Sequence, residues 1–314
     1  MINKILSLIE EYDSIIIARH KNPDLDAYGS QFGLYYALRE RYPNKNIYAV
    51  GDTNYLNKFK ELDEVDDNIY KKSLVFILDT VVSQLIDYNV YKSYDKLVLI
   101  DHHKNDPNIN YDLAYQVKDA SSCSEIITEL LMDLGIPISK TTARALYMGI
   151  IGDTARFLHS NTSSKTLRLA AELLDRGIDI TDIHNSLYTE TKKSKNMKNI
   201  FFNKTQYTSH SVAYNKNDVD FLEKYDLTTN YASRGLVNQM GGMEEVEAWV
   251  NFTFNKEEKN IICELRSKRI PVLSIAKKYG GGGHLKACGC TLNTWAETDK
   301  LIEDLDKLME ENNG

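Results

Sequence analysis

Short β-branched runs alternate with helically spaced segments through the N-terminal part of the chain, and that alternation predicts the fold class. Residues 1–11 place Ile2, Ile5, Leu6, Leu8 and Ile9 among charges, the pattern of an amphipathic helix. Ser14–Ala18 (S-I-I-I-A) reads as a buried strand. Helical spacing follows over 29–41, with Phe32, Leu34, Tyr35 and Leu38 inward, and further buried strands are expected at 46–50, Leu74–Leu78 and 96–100. Strands alternating with helices imply a mainly parallel sheet with helices on both faces. From Ser122 to about Leu187 the spacing is helical, opening on a capping box, Ser122-Cys123-Ser124-Glu125.

The rhythm changes at 190–199 (E-T-K-K-S-K-N-M-K-N), a polar, basic stretch that reads as a linker. Alternating runs at 246–254 and 260–265 then predict paired strands, followed by a helix from Pro271, a strand at 286–291 and a helix at 295–310. The expected architecture is α/β: a parallel-sheet domain over 1–189, the linker, and a smaller α+β domain over 200–314.

Composition narrows the setting. With 42% hydrophobic and 26% charged residues in 314, the chain is an ordinary globular sequence with room for two domains. No apolar run approaches the ~20 residues needed to span a bilayer, and the N-terminal helix lacks the order of a signal peptide. Four scattered cysteines build no disulfide framework, so a soluble, cytoplasmic protein with reduced thiols is expected. The net charge of −7 argues against a basic track for long nucleic acid. An anionic substrate must be gripped locally, by metal ions or a few placed cations.

The candidate chemistry lies where aspartates and histidines meet strand ends. His20-Lys21-Asn22-Pro23-Asp24-Leu25-Asp26 begins just after the first strand, Asp79-Thr80 ends another, and Asp101-His102-His103 follows 96–100. Gly152-Asp153-Thr154 follows an apolar helix. Taken singly, these are a polar turn, a helix cap and a loop residue. Together they can converge outside the carboxyl ends of an open sheet. Pro23 is expected to hold Asn22 extended, so that Asp24 and Asp26 point to one side. Asp24, Asp26, Asp79 and Asp153 in one cleft would repel, and two divalent cations would offset them. Oxygen donors with a minority of imidazoles suit Mn²⁺ or Mg²⁺, with no thiolate to favour zinc. Two such ions roughly 3.5–4 Å apart can bracket phosphoryl chemistry. Downstream, Gly280-Gly281-Gly282-Gly283-His284 reads either as a flexible turn or as an anion-binding nest. Arg266-Ser267 offers a phosphate fork or a surface ion pair.

These segments resemble a known family. His20 to Ser30 (H-K-N-P-D-L-D-A-Y-G-S), Asp79-Thr80, Asp101-His102-His103 and Gly152-Asp153-Thr154 look like the four motifs of DHH phosphoesterases. Arg266-Ser267 with residues 280–289 (G-G-G-G-H-L-K-A-C-G) looks like the DHHA1 module, and the whole most resembles the nano-RNase and pAp-phosphatase branch. The resemblance implies that His20, Asp24 and Asp79 hold one metal and Asp26, Asp79, His102 and Asp153 a second, with Asp79 bridging. It further implies His103 on the scissile phosphate and Asp101 orienting the cluster. Arg266, Ser267, Gly281, Gly282, Gly283 and His284 would bind the nucleotide end across the interdomain cleft. The implied activity is hydrolysis of short oligonucleotides and linear dinucleotides such as pApA and pGpG to mononucleotides, with pAp to AMP as a further reaction. The implied cofactor is two Mn²⁺, with Mg²⁺ or Co²⁺ as substitutes, and the implied assembly a homodimer with no membrane partner. A non-catalytic nucleotide sensor, an inorganic pyrophosphatase and a single-strand exonuclease are the alternatives. Leu25 and Ala155 stand where the family often has glycine, and neither change removes a ligand.

Overall fold

A five-stranded sheet in the order β2-β1-β3-β4-β5, all parallel, organises the N-terminal residues. Its strands are β1 (Ser14–Ala18), β2 (Asn46–Ala49), β3 (Leu74–Leu78), β4 (Lys96–Asp101) and β5 (Leu113–Gln116). The computed structural model describes residues 1–51, 59–86 and 94–312. It divides the chain into two compact units, Met1–Tyr188 and Thr189–Gly314. No helix among the described residues is long and apolar enough to cross a membrane.

The helices of the first unit are α1 (Ile2–Glu11), α2 (Leu25–Arg41), α3 (Asp67–Tyr70), α4 (Cys123–Asp133), α5 (Lys140–Asp153), α6 (Ser164–Leu174) and α7 (Ile180–Tyr188). Strand alternation sends Ile15, Ile17, Phe76, Val98 and Ile100 to one face, where they join Ile5, Phe32, Ile127 and Leu146 in one core. Ile16, Ala18, Val75, Ile77, Leu97 and Leu99 fill the other face with Tyr70, Val81, Ile86 and Ile109. Both faces are therefore dry, as a parallel sheet requires. The strand order reverses direction between β1 and β3, and such a switch point opens a crevice at the carboxyl ends of the strands.

Helix α2 begins four residues before the helically spaced stretch. Asp24 is its N-cap, accepting from Asp26 N and Ala27 N at 3.0 Å each. Asn22 also departs from expectation: its φ is 50°, in the left-handed region rather than extended. Asparagine tolerates that region better than other side-chain-bearing residues, and here the local turn outweighs the preference imposed by Pro23.

Helices α2 and α5 touch through glycine. A Cβ on Gly29 would lie 2.6 Å from Gly149 Cα, and one on Gly149 would lie 1.9 Å from Ser124 Oγ and 2.7 Å from Ser124 Cβ. Gly149→Ala must therefore part α4 from α5. A cost of about 1–3 kcal/mol is expected for such overpacking, or a fall in Tm of roughly 2–12 °C in thermal denaturation. An unchanged Tm would show that these helices are not in the contact described.

The second unit carries a six-stranded mixed sheet in the order β10-β11-β9-β8-β7-β6. Its strands are β6 (Gln206–Tyr207), β7 (Val212–Asn217), β8 (Ala248–Asn255), β9 (Asn260–Ser267), β10 (Gly282–Gly283) and β11 (Ala287–Leu292). The helices are α8 (Lys192–Asn203), α9 (Val219–Lys224), α10 (Leu273–Lys278) and α11 (Trp295–Asn312). Val250, Phe252 and Leu265 pack against Ala276, Leu301 and Leu305 on one face. Ala213 and Trp249 meet Met197, Phe201 and Met240 on the other. Most of 190–199, read as a linker, is thus the first part of α8. Thr191 caps it, and Met197 and Phe201, one turn apart, bury its inner side, with Ile200 packed beside them. All four cysteines are free and buried.

Candidate active site

The loop after β1 brings His20 to the carboxyl end of the sheet, where its Nδ1 bonds Lys21 O at 2.8 Å and frees Nε2. That nitrogen lies 3.5 Å from Asp79 Oδ2 and 3.9 Å from Asp24 Oδ1. Asp79 directly follows β3, with φ 61° and its N–H donating to Ile100 O at 3.1 Å. This backbone turns the carboxylate into the crevice, a conformation aspartate reaches more easily than most residues. Its Oδ1 faces His102 Nε2 at 3.4 Å, and His102 Nε2 lies 3.2 Å from Asp153 Oδ2 and 3.9 Å from Asp26 Oδ2.

Asp26 has a second task. Fully buried, it accepts from Cys123 N at 2.6 Å and Ser124 N at 2.8 Å, so its charge sits on the N-terminal amides of α4. Asp153 is delivered by the last residue of α5. After it, Ala155, Arg156 and Phe157 all take positive φ, 46°, 63° and 67°. Here a glycine would cost less strain, so Ala155 is the costlier residue at this turn, and nothing in the structure explains the substitution. Leu25, the other departure, rests on Gly152, where a Cβ would lie 2.5 Å from Leu25 Cβ.

Asp101, wholly buried, grips His103 twice: Oδ1 accepts the His103 N–H at 2.6 Å and Oδ2 pairs with Nδ1 at 2.9 Å. Gln116 Nε2 donates to His103 O and Asn105 O at 2.7 Å each, holding the same loop from β5. Neither β5 nor Gln116 was expected. The half-buried L-A-Y-Q has neither alternation nor a β-branched run to mark it.

Electrostatics follow from crowding. Burial opposes charge on His20 and His102, but their contacts with Asp79 and the neighbouring carboxylates outweigh it, raising them to about 9 and about 10. Burial pushes Asp79 up, yet the imidazoles of His102 and His20 at 3.4 and 3.5 Å win and hold it at about 2. Burial and the charges of Asp79 and Asp24 lift Asp153 to about 7, and burial with Asp79 and Asp153 raises Asp26. The hydrogen bond to Asp101 raises His103.

Three overlapping ligand groups result: His20, Asp24 and Asp79; Asp26, His102 and Asp153; Asp79, His102 and His103. Within each, the donor atoms lie within 4.8 Å of one another, and Asp79 belongs to two groups. A divalent cation fits on a further observation. Asp79 Oδ1 is buried with no hydrogen-bond donor of good geometry among the described residues, the His102 contact being of ion-pair length only.

The sequence from 14 to 150 matches the DHH family, N-terminal domain, and 218–311 matches the DHHA1 domain. The "Bifunctional oligoribonuclease and PAP phosphatase NrnA" of Bacillus subtilis is 38% identical over 99% of both chains. The chain belongs to the DHH family. A probable NrnA of Streptococcus mutans is 33% identical over 97% of this chain and 98% of its own. Among solved structures, an exopolyphosphatase-related protein from Bacteroides fragilis superposes with a TM-score of 0.87 at 25% identity, covering 99% of this chain and 95% of that one. As a DHH phosphoesterase the chain is a hydrolase acting on phosphoester bonds.

The DHHA1 unit holds its own concavity, a cavity of about 700 Å³ whose lining includes Arg234, Glu264, Arg266, Gly280–Gly283 and Cys288. Glycine is required here. A Cβ on Gly281 would lie 2.1 Å from Gly289 O, and Gly283 has φ 128°. Gly282 and Gly283 pair with Gly289 and Cys288 as β10, so part of the run is ladder rather than turn. His284 is exposed and outside this lining, its N–H donating to Ala287 O at 2.9 Å. Ser267 Oγ is buried with no hydrogen-bond partner among the described residues.

Proposed function

We propose that this DHH phosphoesterase hydrolyses short oligoribonucleotides and linear dinucleotides of the pApA or pGpG type to mononucleotides, and pAp to AMP, with two Mn²⁺ ions. The reading rests on the six side chains gathered at the sheet's switch point, with Asp79 facing His20 through one oxygen and His102 through the other. The NrnA relatives, named for oligoribonuclease and pAp phosphatase activity, support the substrate class.

His20, Asp24 and Asp79 would hold one ion, and Asp26, Asp79, His102 and Asp153 the other. When bound, the pair supplies positive charge for the phosphoester and for an attacking water. The chain's own work is positional. Asp101 fixes Nδ1 of His103, so Nε2 is left to face a phosphoryl oxygen. Asp26, seated on the α4 amides, holds the second ligand group in place before any cation arrives. Arg266, Ser267, the Gly281–Gly283 backbone and His284 would take the nucleotide end.

With Mn²⁺ present, pApA and pAp are expected to yield AMP, while pyrophosphate and a cyclic dinucleotide turn over on the order of a hundredfold more slowly. Pyrophosphate as the fastest substrate would overturn the assignment.

A further inference from the structure

The motif arginine of the DHHA1 unit is largely spoken for. Arg266 NH1 donates to Leu265 O at 2.8 Å and Cys288 O at 3.4 Å, and NH2 reaches Glu264 Oε2 at 3.2 Å. Only Nε and one remaining N–H of NH2 are left for a ligand. The other oxygen of the same carboxylate, Glu264 Oε1, accepts from Arg234 Nε at 2.9 Å. Both arginines line the glycine-walled cavity. Arg234's side chain is 73% exposed, and its two terminal nitrogens have no partner among the described residues. A single buried glutamate thus orients two guanidinium groups at one cavity; Glu258, exposed, also lines it, so the formal charges of the lining balance and what is left over is local, the open fork of Arg234.

The backbone under Arg234 is built for that placement. Tyr231–Gly235 forms a π-helical turn, which an ordinary helix would not contain. Its freed carbonyls are met from below: Asn251 Nδ2 donates to Ala232 O and to Ser233 O, each at 2.7 Å. Asn251 is itself fixed by Asn217 Nδ2, which donates to Asn251 Oδ1 at 2.8 Å and to Thr253 Oγ1 at 3.0 Å. Asn217, Asn251 and Thr253 are fully buried. Three buried polar side chains in one network are costly unless satisfied, and the irregular turn they support carries Arg234 to Glu264.

We infer that Arg234 is a substrate-binding residue whose free guanidinium fork takes a terminal phosphomonoester of the nucleotide, with Glu264 as the positioning residue that aligns it beside Arg266. A phosphomonoester dianion offers the oxygen spacing that a guanidinium fork matches and that an uncharged 5′- or 3′-hydroxyl lacks. The inference rests on the short-nucleotide reading above and deepens it: the enzyme distinguishes phosphorylated from unphosphorylated ends at this cavity.

The test compares matched substrates that share one scissile bond, pApA and ApAp each against ApA, in the full-length Mn²⁺-loaded enzyme. Arg234→Gln is expected to raise KM about 10- to 100-fold for at least one end-phosphorylated substrate. KM for ApA and kcat for all three should stay within about twofold. Arg234→Lys should restore the preference in part, and Glu264→Gln should weaken it with kcat unchanged, a split that a merely structural role would not produce. Equal changes for ApA and both phosphorylated substrates, or no change for any, would overturn the inference. If the wild type cleaves none of the three, the proposed function fails, and calorimetric binding of 5′-AMP and 3′-AMP against adenosine to metal-free protein decides the fork alone. A preference for either phosphate that Arg234→Gln removes sustains it, and a wild type with no preference refutes it.

Discussion

Asp79→Ala is expected to reduce turnover by at least about a thousandfold under saturating Mn²⁺, beyond the roughly 10–100-fold typical of groups that only support a ligand. The reason is position: its two oxygens face His20 and His102 separately, so one substitution unsettles both ligand groups. Asp24→Ala should cost less, because Asp24 approaches only the first group. Asp26→Ala acts on stability through the backbone. It deprives the amides of Cys123 and Ser124 of their acceptor, and a loss of about 1–3 kcal/mol is expected. Asp79→Ala in metal-free protein leaves the buried charges of His20 and His102 without their principal partner, so Tm should fall at neutral pH as well, and it is the loss of turnover that distinguishes Asp79 from the others. Turnover and Tm measured on the three variants check this. A loss at Asp79 no greater than at Asp24 would contradict a bridging role.

Chelation is expected to abolish activity and Mn²⁺ to restore it, and the restoration should depend on pH in a fixed direction. In metal-free protein His20 and His102 titrate at about 9 and about 10, so at neutral pH both carry protons that a ligated imidazole cannot keep. Their pKa values are raised on folding. The stability they contribute is full below about 6.5 and fades as pH climbs through 9 and 10. Asp153, raised to about 7, adds to the same trend, its contribution fading as pH rises through 7. Asp79 runs the other way, its stabilisation present above about 3.8 and lost as pH falls toward 2. Between pH 6.5 and 8.5 metal-free protein should therefore weaken. Mn²⁺ affinity should meanwhile rise roughly 10- to 100-fold per pH unit, with protons released on binding. Calorimetry in buffers of different ionisation heat reads the release, and the Tm gap between loaded and metal-free protein reads the stabilisation. Full activity of metal-stripped protein in chelator, or binding without proton release, would contradict the site as described.

Much of the first unit was legible because a parallel sheet buried on both faces must be written in continuous apolar runs. β1 and β3 coincide with S-I-I-I-A and L-V-F-I-L for that reason. Histidine and aspartate at strand ends likewise announced the crevice, since few other uses place so many acids beside dry strands. What local pattern could not decide was conformation set by contacts distant in sequence. Asp79 looked like a helix cap until the turn after β3 carried it to positive φ. Asn22 gave up the extended backbone that Pro23 favours, and Asp26 found its partners 97 and 98 residues away on α4.

The second unit was legible only in part. β7 reads V-A-Y-N-K-N, with Asn215 and Asn217 where apolar residues would be expected to face a core. Their side-chain amides are met by partners on other elements, Asn215 Nδ2 by Phe201 O and Thr205 Oγ1 and Asn217 Nδ2 by Asn251 and Thr253, and no single segment shows its partners. Arg234 was hidden for the same reason: its segment has no strand or helix rhythm, and its meaning depends on Glu264, 30 residues on. The sequence by itself determined the α/β class, the buried strands and the acidic, histidine-bearing strand ends, because burial and charge leave a periodic or local mark. Only the tertiary structure decided which carboxylate oxygen faces which imidazole, and which arginine is left free, because those outcomes depend on pairings between elements far apart along the chain.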